Sequence, residues 1–138
     1  VEVERWVAFN GAEFASREDC LCYEKKKVDM AENALKTICP LMEVCGLDFG
    51  VPYATDDTKC LFFKPTSISA INILNEFFKG KYAATRDLTA ADIDREFIAA
   101  LSYDEDFADI YNLDDLFMGF IKNREFVRGE YIKRKNAR

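Results

Sequence analysis

The reading of the fold turns on Phe9-Asn10-Gly11-Ala12-Glu13-Phe14-Ala15-Ser16-Arg17-Glu18-Asp19. Asn10-Gly11 supplies two residues that tolerate positive φ, the signature of a two-residue type I′ hairpin turn. Ahead of it, residues 1–9 place Val3, Arg5, Val7 and Phe9 on one face and Glu2, Glu4, Trp6 and Ala8 on the other. Neither face is clean, but Val, Trp and Phe favour strands. Residues 12–14 return as a short second strand. Ser16 is then placed to cap the open amides of a helix, with Glu18 and Asp19 at its positive end. Asp19 stands where a capping box carries Glu or Gln. A hairpin running straight into a capped helix predicts an α+β chain.

Working outward, Leu21, Val28, Ala31, Leu35, Ile38 and Met42 fall at helical spacing, so one amphipathic helix is expected up to Pro40. Residues 41–45 read as one more turn, stopped by Gly46. Residues 48–58, with Gly50, Pro52 and paired aspartates, read as a loop. Lys59-Cys60-Leu61-Phe62-Phe63-Lys64 is an apolar run bounded by charges and Pro65, expected as the third strand. Thr66 or Ser67 caps a helix over residues 68–79, with Ile68, Ile71, Leu74, Asn75 and Phe78 inward and Gly80 ending it. Thr89-Ala90-Ala91-Asp92 resembles a capping box and is read as opening a helix through Ile93, Phe97, Ala100 and Leu101. A last helix from Asp114 turns Leu116, Phe117, Phe120, Ile121 and Val127 inward. The expected architecture is therefore a small antiparallel sheet, the N-terminal hairpin plus one strand near residues 60–64, covered by four to five helices. Residues 1–138 form one domain on this reading.

At 138 residues with 49% hydrophobic side chains, the chain can bury one proper core. No apolar run approaches the ~18 residues of a membrane span, so no membrane partner is expected. The chain begins at Val1 rather than Met, consistent with residues removed ahead of it. An odd count of five cysteines suits reduced thiols and predicts a cytoplasmic location.

Charge is unevenly spread over a net −6. Between Asp92 and Asp115 nine carboxylates face only Arg95, whereas from Lys122 to Arg138 seven cations face Glu125 and Glu130. The basic end carries Phe126 and Tyr131 but no nucleic-acid recognition motif, and the domain as a whole is acidic, which argues against a nucleic-acid partner.

The chain has no histidine, which removes the commonest general base and metal ligand, and no catalytic residue stands out. Cys20 and Cys22 point about 200° apart around a helix, and no C-x-x-C pair exists, so no metal site is expected. A calcium loop starting at Asp104 fails twice, with Asp109 at the glycine position and Asp115 at the bidentate glutamate. No cofactor is implied. Two candidate sites remain. Asp104, Glu105, Asp106 and Asp109 form an acidic patch suited to a basic protein surface. Lys64, Thr66 and Ser67, at a strand-to-helix junction, offer an anion site without the glycines of a P-loop.

Residues 9–24, Phe9-Asn10-Gly11-Ala12-Glu13-Phe14-Ala15-Ser16-Arg17-Glu18-Asp19-Cys20-Leu21-Cys22-Tyr23-Glu24, resemble the opening of small phage- and prophage-encoded accessory proteins. Those openings follow a loose D-G-x-x-F-x-[ST]-x-[ED]-[ED]-C-x-x-Y-E pattern, with Asn10 here replacing the aspartate. The resemblance implies an accessory protein acting in a bacterial host cytosol and names no activity. The leading expectation is a non-enzymatic binding protein that blocks a basic site on a host defence or nucleic-acid-binding protein through the acidic patch. The alternatives are a nucleotide or other small-ligand binder at residues 64–67, and a histidine-free enzyme.

Overall fold

A computed structural model of the chain describes residues 5–51 and 58–137. The opening hairpin joins β1 (Trp6–Val7) to β2 (Glu13–Phe14) as a two-stranded sheet. The continuation of its first strand over residues 1–4 lies outside the described residues. Its turn differs from the expected one. Gly11, at φ 91°, is its one positive-φ residue. The Gly11 amide donates to the Ala8 carbonyl at 2.9 Å and the Ala8 amide to the Ala12 carbonyl at 2.8 Å. This is a three-residue loop in which glycine takes the left-handed bulge position, rather than a type I′ turn. Asn10 serves instead through its side chain, accepting from the Ala12 amide at 3.2 Å and donating to the Tyr23 hydroxyl at 2.9 Å.

α1 (Arg17–Ile38) starts where the Ser16 hydroxyl accepts the Asp19 amide, and ends at Cys39 before Pro40. β3 (Met42–Val44), β4 (Thr58–Phe63), β5 (Phe97–Ser102) and β6 (Ala108–Asn112) form one antiparallel sheet in that order. α2 (Ile68–Tyr82) follows β4, and α3 (Leu113–Asn136) follows β6 without a break. Short 3-10 turns occupy Gly46–Phe49 and Ala90–Asp92.

The α+β class holds, but the expected four to five helices over a three-stranded sheet do not. Three α-helices and two separate sheets, of two and four strands, are present among the described residues. The hairpin does not pair with the strand near residue 60. That strand instead joins β3, where a helical turn is expected, and β5, where a helix is expected. Thr89 and Asp92 do form a capping box, but it opens only a 3-10 turn. The loop expected over residues 48–58 is partly the Gly46–Phe49 turn, and residues 52–57 lie outside the described residues.

Strand alternation gives the four-stranded sheet two apolar faces. Leu61, Phe63, Phe97, Ala99, Leu101 and Ile110 pack under α1 and α2, meeting Leu35, Ile71, Leu74 and Phe78 in the main core. Phe63 stacks on Phe97 with centroids 5.4 Å apart and tilts against Phe78 at 5.5 Å, geometry that adds about 0.5–1.5 kcal/mol per pair beyond burial. The opposite face carries Cys60, Ile98 and Ala100, covered by Val51 and flanked by Val44, Leu113 and Leu116. Asn75 pins the long loop after α2, donating to the Leu88 carbonyl and accepting from its amide, both at 2.9 Å.

α2 also runs past its expected end. Gly80 is not a stop but a contact point: an added Cβ would come within 2.5 Å of Val28 Cγ2 on α1 and 3.0 Å of Phe9 Cε1. The absence of a side chain lets α2, α1 and the hairpin meet. Gly80→Ala is therefore expected to destabilise by about 1–2 kcal/mol, the clash outweighing roughly 1 kcal/mol of helix propensity gained. Gly129→Ala in α3, where the added atom meets nothing within 4 Å, is expected to be neutral or stabilising. Urea midpoints of the two variants check the contrast, and a Gly80→Ala midpoint at or above the parent's contradicts the packing.

Candidate functional site

The acidic candidates sit on and beside the tip of the β5–β6 hairpin. β5 is buried along all six residues, so the tip grows from the most deeply buried strand of the sheet. At its mouth the Ser102 amide donates to the Phe107 carbonyl at 3.2 Å, and the Glu105 amide to the Ser102 carbonyl at 3.1 Å. The Ser102 hydroxyl oxygen accepts two further amides, Asp106 at 2.7 Å and Phe107 at 3.1 Å. Glu105 takes a left-handed conformation at φ 62°, which costs a non-glycine residue about 1–2 kcal/mol and persists because these bonds hold it. Tyr103, 62% exposed, and Phe107, 40% exposed, flank the three acids.

The four expected acidic residues do not form one patch. Glu105 turns to the helix layer, its carboxylate 3.9 Å from the Lys81 ammonium, which also lies 3.6 Å from Glu32. Asp109 stands opposite Ala100 in the register and so faces the other side of the sheet. Asp104 and Asp106 stay at the tip, exposed and without an ion pair among the described residues. Much of the remaining acidity is structural: Asp92 completes its capping box, and Asp114 and Asp115 occupy the first turn of α3.

At the other expected site, Ser67 caps α2 by accepting the Ala70 amide at 3.1 Å. The Pro65 carbonyl accepts the Asp94 amide at 2.7 Å, bringing an acidic residue to the junction, while Lys64 and Thr66 are exposed. The junction is thus a satisfied cap with one lysine beside it.

Sequence reasoning missed a cleft of about 360 Å³ between α1, α2 and the β3–β4 edge. Lys36, Lys59 and Lys81 border it with Glu32, over a floor that includes Leu61, Phe77 and Tyr82. The Lys81 ammonium lies 5.7 Å from the Phe77 ring centre and 5.9 Å from that of Tyr82, within cation–π range. Burial pushes the Tyr82 hydroxyl up from its ordinary value, and Lys81 opposes the shift. A helix ending at Gly80, as the sequence suggests, excludes Lys81 and Tyr82, whereas α2 runs to Tyr82 and aligns both with Phe77.

Three of the five thiols are buried and two, Cys22 and Cys45, are exposed. Burial pushes the Cys20, Cys39 and Cys60 thiols up, with Glu24 adding to the rise at Cys20 and Cys45 at Cys60, while backbone hydrogen bonds at Lys64 and Gly46 oppose it at Cys39 and Cys60. Among the described residues no helix is long and apolar enough to cross a membrane. The chain matches no protein-family model, and no curated protein or solved structure matches it either.

Ser102→Ala removes the acceptor of two tip amides without altering the exposed surface. It is expected to cost about 1–3 kcal/mol and to speed hydrogen exchange at the Asp106 and Phe107 amides while β5 stays protected. Unchanged exchange at those two amides would show that the tip is held by other means.

Proposed function

We propose that the chain is a non-enzymatic binding protein that docks a basic surface of a protein partner with the tip of its β5–β6 hairpin. One observation carries this reading: Tyr103 and Phe107 stand exposed around Asp104 and Asp106 on a turn whose backbone is already fixed by Ser102. Exposed aromatics supply contact energy with little side-chain entropy lost, while the carboxylates steer encounter and reject acidic surfaces. A held turn also avoids much of the ordering cost that a free loop meets on binding. The partner class follows from the charge: a surface that receives phosphates or other acids presents the cations this tip would meet. A phage-type accessory role in a bacterial cytosol, as a blocker of such a host protein, rests on the resemblance of residues 9–24.

A second reading is favoured by the cleft. Lys36 and Lys59 have no ion pair among the described residues and stand over an apolar, aromatic floor, an arrangement suited to a small anion with a hydrophobic body.

Two experiments separate the readings. For the first, a partner co-purified from host lysate is expected to bind less tightly as salt rises. It should bind about tenfold more weakly to Tyr103→Ala/Phe107→Ala and to Asp104→Asn/Asp106→Asn; affinity unchanged in both double variants removes the tip as the site. For the second, phenyl phosphate and adenosine monophosphate are titrated in a thermal unfolding assay. Binding in the cleft stabilises by roughly 2.7 kcal/mol at a hundredfold the dissociation constant, and Lys59→Ala abolishes it. Loss on Lys64→Ala instead places the anion at the start of α2, and no stabilisation by either compound rejects both anion sites.

A further inference from the structure

No residue of α3 is buried, although the helix runs for 24 residues. Phe117, Met118, Phe120, Phe126, Val127, Tyr131 and Ile132 are all more than half exposed. Leu113, Phe117, Phe120, Arg124, Val127 and Tyr131 follow one another at spacings of four, three, four, three and four, the seam of a helix that packs along another helix. Beside the first half of this seam, α3 and the Gly46–Phe49 turn enclose an apolar groove of about 260 Å³, with Leu47, Phe49, Leu116 and Phe120 in its walls and Asp48 at its edge. The two ends of α3 are opposite in charge. Asp114 and Asp115 lie in its first turn, and Lys133, Arg134 and Lys135 in its last.

We propose that α3 pairs antiparallel with α3 of a second copy of this chain, each copy laying the end of its helix along the groove of the other. Charge selects this occupant. The groove end is acidic and apolar, and the Val127–Lys135 half of the same helix is apolar and basic. An antiparallel arrangement therefore satisfies both ends twice over, as a two-fold interface requires. With the axis near Arg124, Phe117 lies beside Tyr131 of the second copy, Phe120 beside its Val127, and Asp114 and Asp115 beside its Lys133 to Lys135. The helix dipoles also oppose each other, whereas a parallel pair would set acid against acid and base against base.

The area suffices. Phe117, Phe120 and Tyr131 are each about two-thirds exposed, which for aromatic side chains leaves roughly 400 Å² per copy to bury. Val127, Ile132 and Leu47 bring the two copies together to about 1,000 Å², the lower bound of a specific interface. Arg124 interrupts the seam at the axis, where two guanidinium groups repel. A polar residue there fixes register at a cost in affinity, so a reversible dimer of micromolar strength is expected.

The test is sedimentation velocity on the purified chain over a micromolar concentration series, with far-UV circular dichroism to confirm folding. The parent is expected to shift from monomer to dimer with concentration. Phe120→Asp, at an exposed position, is expected to stay monomeric. So is each of two charge variants alone, Asp114→Lys/Asp115→Lys and Lys133→Glu/Arg134→Glu/Lys135→Glu. Mixed one to one, the two charge variants are expected to restore a heterodimer, because acid again faces base at both ends. A parent that is monomeric throughout, a dimer that survives Phe120→Asp, or a mixture that fails to associate would each overturn the proposal.

Discussion

β5 is buried on both faces, and the rest of the structure answers to that constraint. A strand with all six residues excluded from water must have a partner strand on each edge and a cover on each side. β4 and β6 supply the edges, in the registers Phe63 to Phe97 and Ala100 to Asp109. α1 and α2 supply one cover, joined through Leu35, Leu74 and Phe78 to the Phe63–Phe97 stack. At roughly 25 cal/mol per Å² of apolar surface removed from water, this layer holds most of the stabilisation. The N-terminal hairpin is an accessory to it, tied to α1 by the Phe14–Tyr23 ring contact and to α2 by the approach of Phe9 to Gly80.

The second cover is thinner. Cys60, Ile98 and Ala100 lie beneath Val51, and Leu113 and Leu116 reach the margin of this cluster. Among the described residues α3 therefore touches its own domain through its first turns and then leaves it. An amphipathic helix in water gains most of its stability from tertiary packing of its apolar stripe. Among the described residues this one has little of it beyond Leu116, where Phe120 meets the Gly46–Phe49 turn and Ile121 is half-buried, although capping by Asn112 and the charges at its ends act in its favour. The side chains beyond that point are what a partner helix would cover.

Local signals were legible and long-range ones were not. Ser16, Ser67 and the Thr89–Asp92 box could be read because a cap is chemistry within four residues. Val28, Ala31 and Leu35 on α1 could be read from their spacing. The run from Phe97 to Ser102 could not: a strand buried on both faces loses its alternation, and five apolar residues followed by a serine then fit helix or strand equally well. β3 escaped notice because a three-residue edge strand carries almost no pattern of its own and exists through pairing with β4. The inward stripe expected on α3 holds at Leu116, which packs beside Ile98 and Ala100, and fails at Phe117, Phe120 and Val127, which stand exposed, since periodicity says which residues share a face and not what that face meets. At the candidate sites, the sequence located the acidic residues but could not show that the turn sends Glu105 to Lys81 while strand register sends Asp109 to the other side of the sheet.

The uneven charge acquires a physical meaning from the same geometry. Among the described residues the only ion pair formed by the basic end of α3 is Lys133 with Glu130 on the helix itself. A 24-residue helix spans about 36 Å at 1.5 Å per residue, several times the Debye length at physiological salt. Asp114 and Asp115 thus cannot neutralise Lys133 to Lys135 within one helix, however the side chains move. The acidic and basic ends are held apart by a rigid rod and remain available to something outside the chain. The same holds at the hairpin tip, where Lys81 engages Glu105 but leaves Asp104 and Asp106 outward. A sequence with this charge order could have folded the two ends together through a turn. By keeping residues 113–136 as one unbroken helix it separates them, so that neither end can balance the other.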